Sequence, residues 1–152
     1  MRTALVVNQD KAVAAWVQGQ LGADLFAGDY SAIGVVDIDA NQLIGGYVFY
    51  DYYPGADISI AVASTHPGFM SRHALQFVGG YVFNQLGVRR VTAVTPRKYV
   101  KARSILTRLG FKQEGVKRHL FGRRKDGVMY GLLRADWKIG GLEQNDAITD
   151  AA

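Results

Sequence analysis

Residues 89–134 constrain the fold most, because a strand, a helix and two further strands follow one another there with almost no linker. Residues 89–95 are rich in Val and Thr and are stopped by Pro96, which reads as a strand. The spacing of Ala102, Ile105, Leu106 and Leu109 predicts a helix over 98–109 with these four as its buried stripe, and Gly110 ends it. Two more strands, 113–121 and 128–134, are joined by the turn-rich Gly122-Arg123-Arg124-Lys125-Asp126-Gly127. Connections this short leave successive elements no choice but to be neighbours in one sheet.

The chain upstream feeds that sheet. Residues 3–7 form a first strand, and Asp10 is placed to cap a helix carrying Val13, Trp16, Val17 and Leu21, with Gly22 as its stop. Residues 32–38 and 43–52 make an antiparallel hairpin across the turn at 39–42. In the fourth strand, 56–63, Asp57, Ser59, Ala61 and Ala63 face one way and Ile58, Ile60 and Val62 the other. A helix over 71–86 then returns the chain to the strand at 89, a βαβ unit that requires parallel pairing of strands four and five. Gly79-Gly80 in that helix costs about 1 kcal/mol per residue, so a close backbone approach, to the sheet, is the expected compensation. Tyr47, Phe49, Tyr50, Tyr52 and Tyr53 either line a cleft or pack as ordinary strand aromatics.

At 152 residues the chain is read as one domain over 1–139 followed by an acidic tail, 140–152, with Glu143, Asp146 and Asp150. It has no cysteine, which excludes disulfides, thiolate nucleophiles and Cys-ligated metals. His66, His73 and His119 show no metal-ligand spacing, so no metal is expected. No apolar run approaches a membrane span, and Met1-Arg2-Thr3-Ala4-Leu5 leads into polar Asn8-Gln9-Asp10 instead of an export signal, so no membrane contact and a cytoplasmic location are expected. The +5 charge is concentrated between Arg97 and Lys125, where Arg97, Lys98, Lys101, Arg103, Arg108, Lys112, Lys117, Arg118, Arg123, Arg124 and Lys125 face only Glu114. Such a segment is either a solvated face or the mark of an anionic partner, phosphate first.

The element order β-α-β-β-β-α-β-α-β-β, with Leu109-Gly110-Phe111-Lys112-Gln113-Glu114-Gly115-Val116 and then Asp126-Gly127-Val128-Met129-Tyr130-Gly131-Leu132-Leu133, resembles the GNAT superfamily of acyl-CoA-dependent N-acyltransferases. The similarity is strongest to its ribosomal-protein and polyamine acetyltransferase branch and covers roughly residues 43–137. It implies an α/β (α+β) domain with a mixed, mostly antiparallel sheet, splayed between its fourth and fifth strands and flanked by helices on both faces. It also implies acetyl-CoA as co-substrate and an amine acceptor, protein or small molecule. Pantetheine amides would lie along Ala61, Val62 and Ala63, and the pyrophosphate against the loop Gly68, Phe69, Met70, Ser71 and Arg72. Arg97, Lys98 and Arg103 would lie near the adenosine phosphates.

This loop departs from the family pattern, since Met70 and Arg72 stand where the family places glycine, and Arg72 offers charge in return. Tyr99, Ala102 and Leu106 replace the family's Asn, Ser and leaving-group Tyr. Transfer to an amine needs a base, an oxyanion donor and an acid. In Ala56-Asp57-Ile58, Asp57 matches the glutamate base of histone-type members, the backbone near Val62 would polarise the thioester, and Tyr99 with Ser104 lies on the helix that carries the family's acid. Glu114 reads as a strand-edge partner for a nearby cation. The resemblance therefore implies acetyl transfer to a protein N-terminus, a lysine or a small polyamine. The alternative is a catalytically silent binding or assembly protein, in a homo-oligomer or a larger particle such as a phage virion. The basic hairpin Arg123-Arg124-Lys125 adds a third option, acylation of a modified nucleobase, although the chain has no helix-turn-helix, zinc-finger or RNA-binding signature.

Overall fold

A computed structural model describes residues 1–22 and 26–139, so the acidic segment 140–152 lies outside the described residues. Strands β1 (Thr3–Val6), β2 (Tyr30–Asp37), β3 (Gln42–Tyr53), β4 (Asp57–Ser64), β5 (Arg90–Pro96), β6 (Lys112–Lys117) and β7 (Gly127–Leu133) form one sheet. Their order is β1-β2-β3-β4-β5-β7-β6, and every neighbouring pair is antiparallel except β4 with β5. Among the described residues three α-helices accompany them, α1 (Asp10–Leu21), α2 (Arg72–Gly79) and α3 (Val100–Leu109). Among the described residues, no helix is long and apolar enough to cross a membrane.

Strand alternation divides the core between two faces. Ala32, Val48, Ala61 and Ala63 point to one side and bury Val13, Ala14 and Val17 of α1. Ile33, Val35, Tyr47, Phe49 and Ile58 point to the other, where Ala74, Phe77 and Val78 of α2 and Val82 and Phe83 beyond it complete the larger cluster. The expected helix over 71–86 is therefore found, but it changes pitch. After Gly79 it widens into a π-helical turn over Gly80–Gln85, in which the Leu86 N–H reaches back five residues to the Tyr81 carbonyl at 2.8 Å. Arg134 donates to the Phe83 carbonyl and, at 2.7 Å, to Asn84 Oδ1, tying the end of β7 to this turn.

Several local expectations are met with different partners. Asp10 is the first residue of α1 and caps nothing, because its Oδ1 accepts from the Ala32 N–H at 3.1 Å and so ties the helix to β2. The close approach at Gly79 comes from Trp137, whose Nε1 lies 2.5 Å from where a Cβ would stand, and not from the sheet. The strand expected over 113–121 ends at Lys117, since positive φ at His119 and Gly122 turns the chain early. Most consequential for the site, α3 has no buried residue at all, and Ala102, Ile105, Leu106 and Leu109 are only partly covered.

Candidate active site

The incomplete burial of α3 follows from the sheet beneath it. Strands β4 and β5 pair over four steps, from Asp57↔Arg90 to Ile60↔Ala93, and then diverge. Beyond that point β4 still pairs with β3 as far as Ser64, and β5 still pairs with β7 as far as Pro96. Each strand thus keeps one satisfied edge and turns the other toward a wedge-shaped gap. Backbone N–H and C=O groups along that gap have no strand partner, and such groups seek hydrogen bonds wherever a ligand offers them.

The gap opens into a cleft of about 980 Å³ that passes between the strands, with Leu21 and Tyr50 from the α1 side and Val82 and Phe83 from the α2 side in its walls. Ile60, Ala61, Val62 and Ala63 of β4, Ala93 and Val94 of β5, and Ala102, Ile105, Leu106 and Leu109 of α3 also line it. The stripe expected to be the buried face of α3 is therefore the wall of a cleft. Basic groups collect where the segment after β5 meets the β6–β7 hairpin, and there Arg97, Lys98, Tyr99, Lys117, Arg124 and Lys125 border the cleft mouth. An apolar, partly enclosed channel with charge at its mouth suits an extended amphipathic ligand.

The loop after β4 is ordered around its own side chains. Residues Pro67–Met70 make a single 3₁₀ turn, Gly68 N–H donates to His66 Nδ1 at 2.9 Å, and Phe69 N–H donates to the His66 carbonyl at 3.3 Å. Phe69 is buried, its carbonyl accepting from Tyr47 Oη at 3.0 Å and its ring lying 5.6 Å from that of Tyr47. Burial drives the Tyr47 hydroxyl far above the usual phenol range, so it acts there as a fixed donor. Met70 turns into the cleft wall, Ser71 caps α2 by accepting from Ala74 N–H at 3.1 Å, and Arg72 is exposed outside the cleft lining. Of the loop residues read as phosphate-binding, Phe69 and Met70 therefore reach the cleft, while the Gly68 and Phe69 amides face His66.

Of the remaining sequence candidates, the cleft brings together Ala61, Val62, Ala63, Arg97 and Tyr99. Arg97 also pairs with Asp126 at 3.8 Å. Arg103 is not in the cleft lining, and its guanidinium donates to Tyr130 Oη at 3.0 Å and to the Arg97 carbonyl at 3.2 Å. Tyr99 immediately precedes α3, half exposed, with Lys98 Nζ 5.6 Å from its ring centre. Among the described residues, no group of three or more His, Asp or Glu side chains could hold a metal ion.

Asp57 stands at the zipped end of the β4–β5 pair, just outside the cleft lining. The Thr92 hydroxyl donates to its carboxylate at 2.9 and 3.1 Å, and Arg90 Nε lies 3.4 Å from Oδ1. Arg90 in turn holds Glu114 through two hydrogen bonds, of 2.6 and 3.2 Å, a bidentate fork that fixes the guanidinium plane. Glu114 reaches it across β7 because Gly131 has no side chain, and any Cβ there would collide with the carboxylate. The hydrogen bonds from Arg90 hold the Glu114 carboxyl below its usual range, and those same bonds raise Arg90. Sequence reasoning named Asp57 and Glu114 but not Arg90 or Thr92. The available signal was their i, i+2 spacing on β5, which puts both on the face that the parallel register gives to Asp57.

Solved structures with the same arrangement include the ribosomal-protein-S5-alanine acetyltransferase of Vibrio fischeri, at 20% identity and a TM-score of 0.60. The alignment covers 72% of this chain and 64% of that one, so this chain spans just under two thirds of that protein's length. Mutant forms of the spermidine/spermine N-acetyltransferase SpeG of Vibrio cholerae align at 14% identity and a TM-score of 0.70, covering 88% of this chain and 96% of theirs. A dodecameric form of spermidine N-acetyltransferase from Vibrio cholerae gives 14% identity and a TM-score of 0.69 over 88% and 94% of the two chains. No protein-family model and no curated protein sequence matches the chain. At these identities the likeness is one of fold, and the chain has the GNAT-like α/β fold with its parallel β4–β5 pair in a mixed seven-stranded sheet.

Proposed function

We propose that the protein transfers an acetyl group from acetyl-CoA to a primary amine, either a protein N-terminus or lysine or a small polyamine-like molecule. The observation that carries this reading is the divergence of β4 and β5 beyond Ile60 and Ala93 over an apolar cleft with a basic mouth. Acetyl-CoA supplies the activated acyl group, and its amide-bearing arm and phosphates match the two ends of that cleft in chemistry. The free edge of Ala61, Val62 and Ala63 would receive the arm, and Arg97 with Lys98 would meet phosphate.

In this reading the Asp57 carboxylate takes the amine proton, and Thr92, which lines the cleft, donates to Asp57 and accepts from Arg90 Nε and Nη2 at 3.3 and 3.1 Å, so that it holds the carboxylate in place. Arg90, held by Glu114, fixes Asp57 and so acts as a positioning residue. The departing thiolate leaves at the Thr92 end and takes its proton from solvent, since Tyr99 borders the mouth beside Arg97 and Lys98, the phosphate end in this reading.

A second reading, a silent binding or assembly protein with this fold, is favoured by the loop itself, whose Gly68 and Phe69 amides are already taken by His66. Thermal unfolding separates the two. Acetyl-CoA at about 100 times its dissociation constant should add about 2.7 kcal/mol to stability and raise Tm. An unchanged Tm at millimolar acetyl-CoA would remove the enzyme reading and leave the assembly one.

A further inference from the structure

The positive charge at the cleft mouth continues beyond the cleft itself, past what a bound cofactor would cover. Arg97 and Lys98 precede α3, and from across the opening Lys117, Arg124 and Lys125 of the β6–β7 hairpin complete the border. Lys101, Arg118 and Arg123 extend the same surface outside the cleft and are exposed. Of these eight side chains, Arg97 alone has a carboxylate within ion-pair distance among the described residues, Asp126 at 3.8 Å. Like charges this dense repel one another, and an extended polyanion offsets that cost where a compact cofactor covers only part of it.

The hairpin is also preorganised. His119 N–H donates to Asp126 Oδ1 at 2.9 Å, Phe121 N–H to the Lys125 carbonyl at 3.0 Å, and Lys125 N–H to the Gly122 carbonyl at 3.0 Å. Arg124 adopts φ +60°, a left-handed conformation that glycine or asparagine would take more easily. Beside this cationic border stands Tyr99, 48% exposed, with Lys98 Nζ over one face of its ring at 5.6 Å, a contact that a stacked base would share or displace.

We propose that the cleft mouth and the β6–β7 hairpin bind single-stranded nucleic acid, phosphates on the basic side chains and a base stacked on Tyr99. A basic groove beside an exposed ring is the arrangement that holds single strands without sequence readout, so it needs none of the signatures absent from the sequence. An acidic peptide would satisfy the charges but would bring no nucleobase to stack on the ring. This inference does not rest on acyl transfer.

The test is fluorescence anisotropy of a labelled single-stranded RNA of mixed sequence titrated with the full chain. With about five phosphates engaged at a slope of about −0.7 each, affinity should fall on the order of 100-fold between roughly 50 and 200 mM salt. The double variant Arg123→Gln/Arg124→Asn, whose Asn suits the left-handed backbone, should lower the steepness by about 1.4. Tyr99→Ala should weaken binding about tenfold while Tyr99→Phe, which keeps the ring, should bind like the parent. The proposal is overturned by no binding at low salt, by a flat salt response, by a double variant that binds with the parent's slope, or by equal losses in Tyr99→Ala and Tyr99→Phe. Polyglutamate competing as strongly as RNA would likewise overturn it in favour of an acidic protein.

Discussion

Helices α1 and α3 are of similar length and each carries an aliphatic stripe, yet they end in opposite environments. Val13, Ala14 and Val17 of α1 are 1%, 2% and 0% exposed, whereas α3 buries no residue. The difference lies in the strands below. α1 rests on β2, β3 and β4 where they are continuously paired, and small Ala61 and Ala63 let it come close. α3 spans the place where β4 and β5 part, so its aliphatic side chains border a cleft. An identical helical periodicity thus serves stability in one half of the molecule and access in the other, and the contrast can be tested.

The largest expected effect is in the closed half. Phe49 is 1% exposed and packs 4.9 Å from the Tyr81 ring, so Phe49→Ala should cost about 3–5 kcal/mol in chemical denaturation. A loss under about 1 kcal/mol would mean that this half is no better packed than the other. At the boundary between the halves, Asp57→Asn should lower amine acetylation by about 100-fold while leaving the acetyl-CoA-induced rise in Tm intact. Turnover equal to the parent's would withdraw Asp57 from the chemistry.

Smaller effects belong to the open half. Leu106→Ala, on the cleft wall, should cost only about 1 kcal/mol, because much of the side chain already borders open space. If it costs as much as Phe49→Ala, the cleft is closed in solution. Smallest is Glu114→Gln, about 0.5–1 kcal/mol, since the pair with Arg90 is partly exposed and screened. Its pH dependence carries a definite sign. The Glu114 carboxyl is held below its usual 4.5 by Arg90, so the pair's contribution is full above that value and is lost as pH falls through the depressed folded value. The stability difference between parent and variant should therefore be present at neutral pH and disappear in acid. A difference that instead grew on acidification would show that Glu114 does not owe its position to the ion pair.

Sequence legibility followed the range of the interactions concerned. Gly22 and Gly110 end their helices in left-handed conformations where the sequence placed the stops, and the β4–β5 pair is parallel as a strand-helix-strand order requires. Of the candidate site, Ala61, Val62, Ala63, Phe69, Met70, Arg97 and Tyr99 do meet at one cleft, whereas Arg103, bonded to Tyr130, and Arg72 stand outside the lining. Nothing in the local pattern around Arg103 distinguishes these outcomes, because its partner is 27 residues away.

By itself, then, the sequence determined the kind and order of the elements, since hydrophobic period, breakers and caps act over one or two turns. Only the tertiary structure decided what each element faces. A stripe such as Ala102, Ile105, Leu106 and Leu109 records that one side of a helix avoids water, and says nothing about whether a packed sheet or an open cleft lies opposite. Likewise, the gathering of Asp57, Thr92, Arg90 and Glu114 depends on the register of three strand pairings, which brings together residues 24 and 35 positions apart. Register is set by the whole sheet settling at once, and that is why Asp57 and Glu114 could be singled out in the chain while their meeting through Arg90 and Thr92 could not.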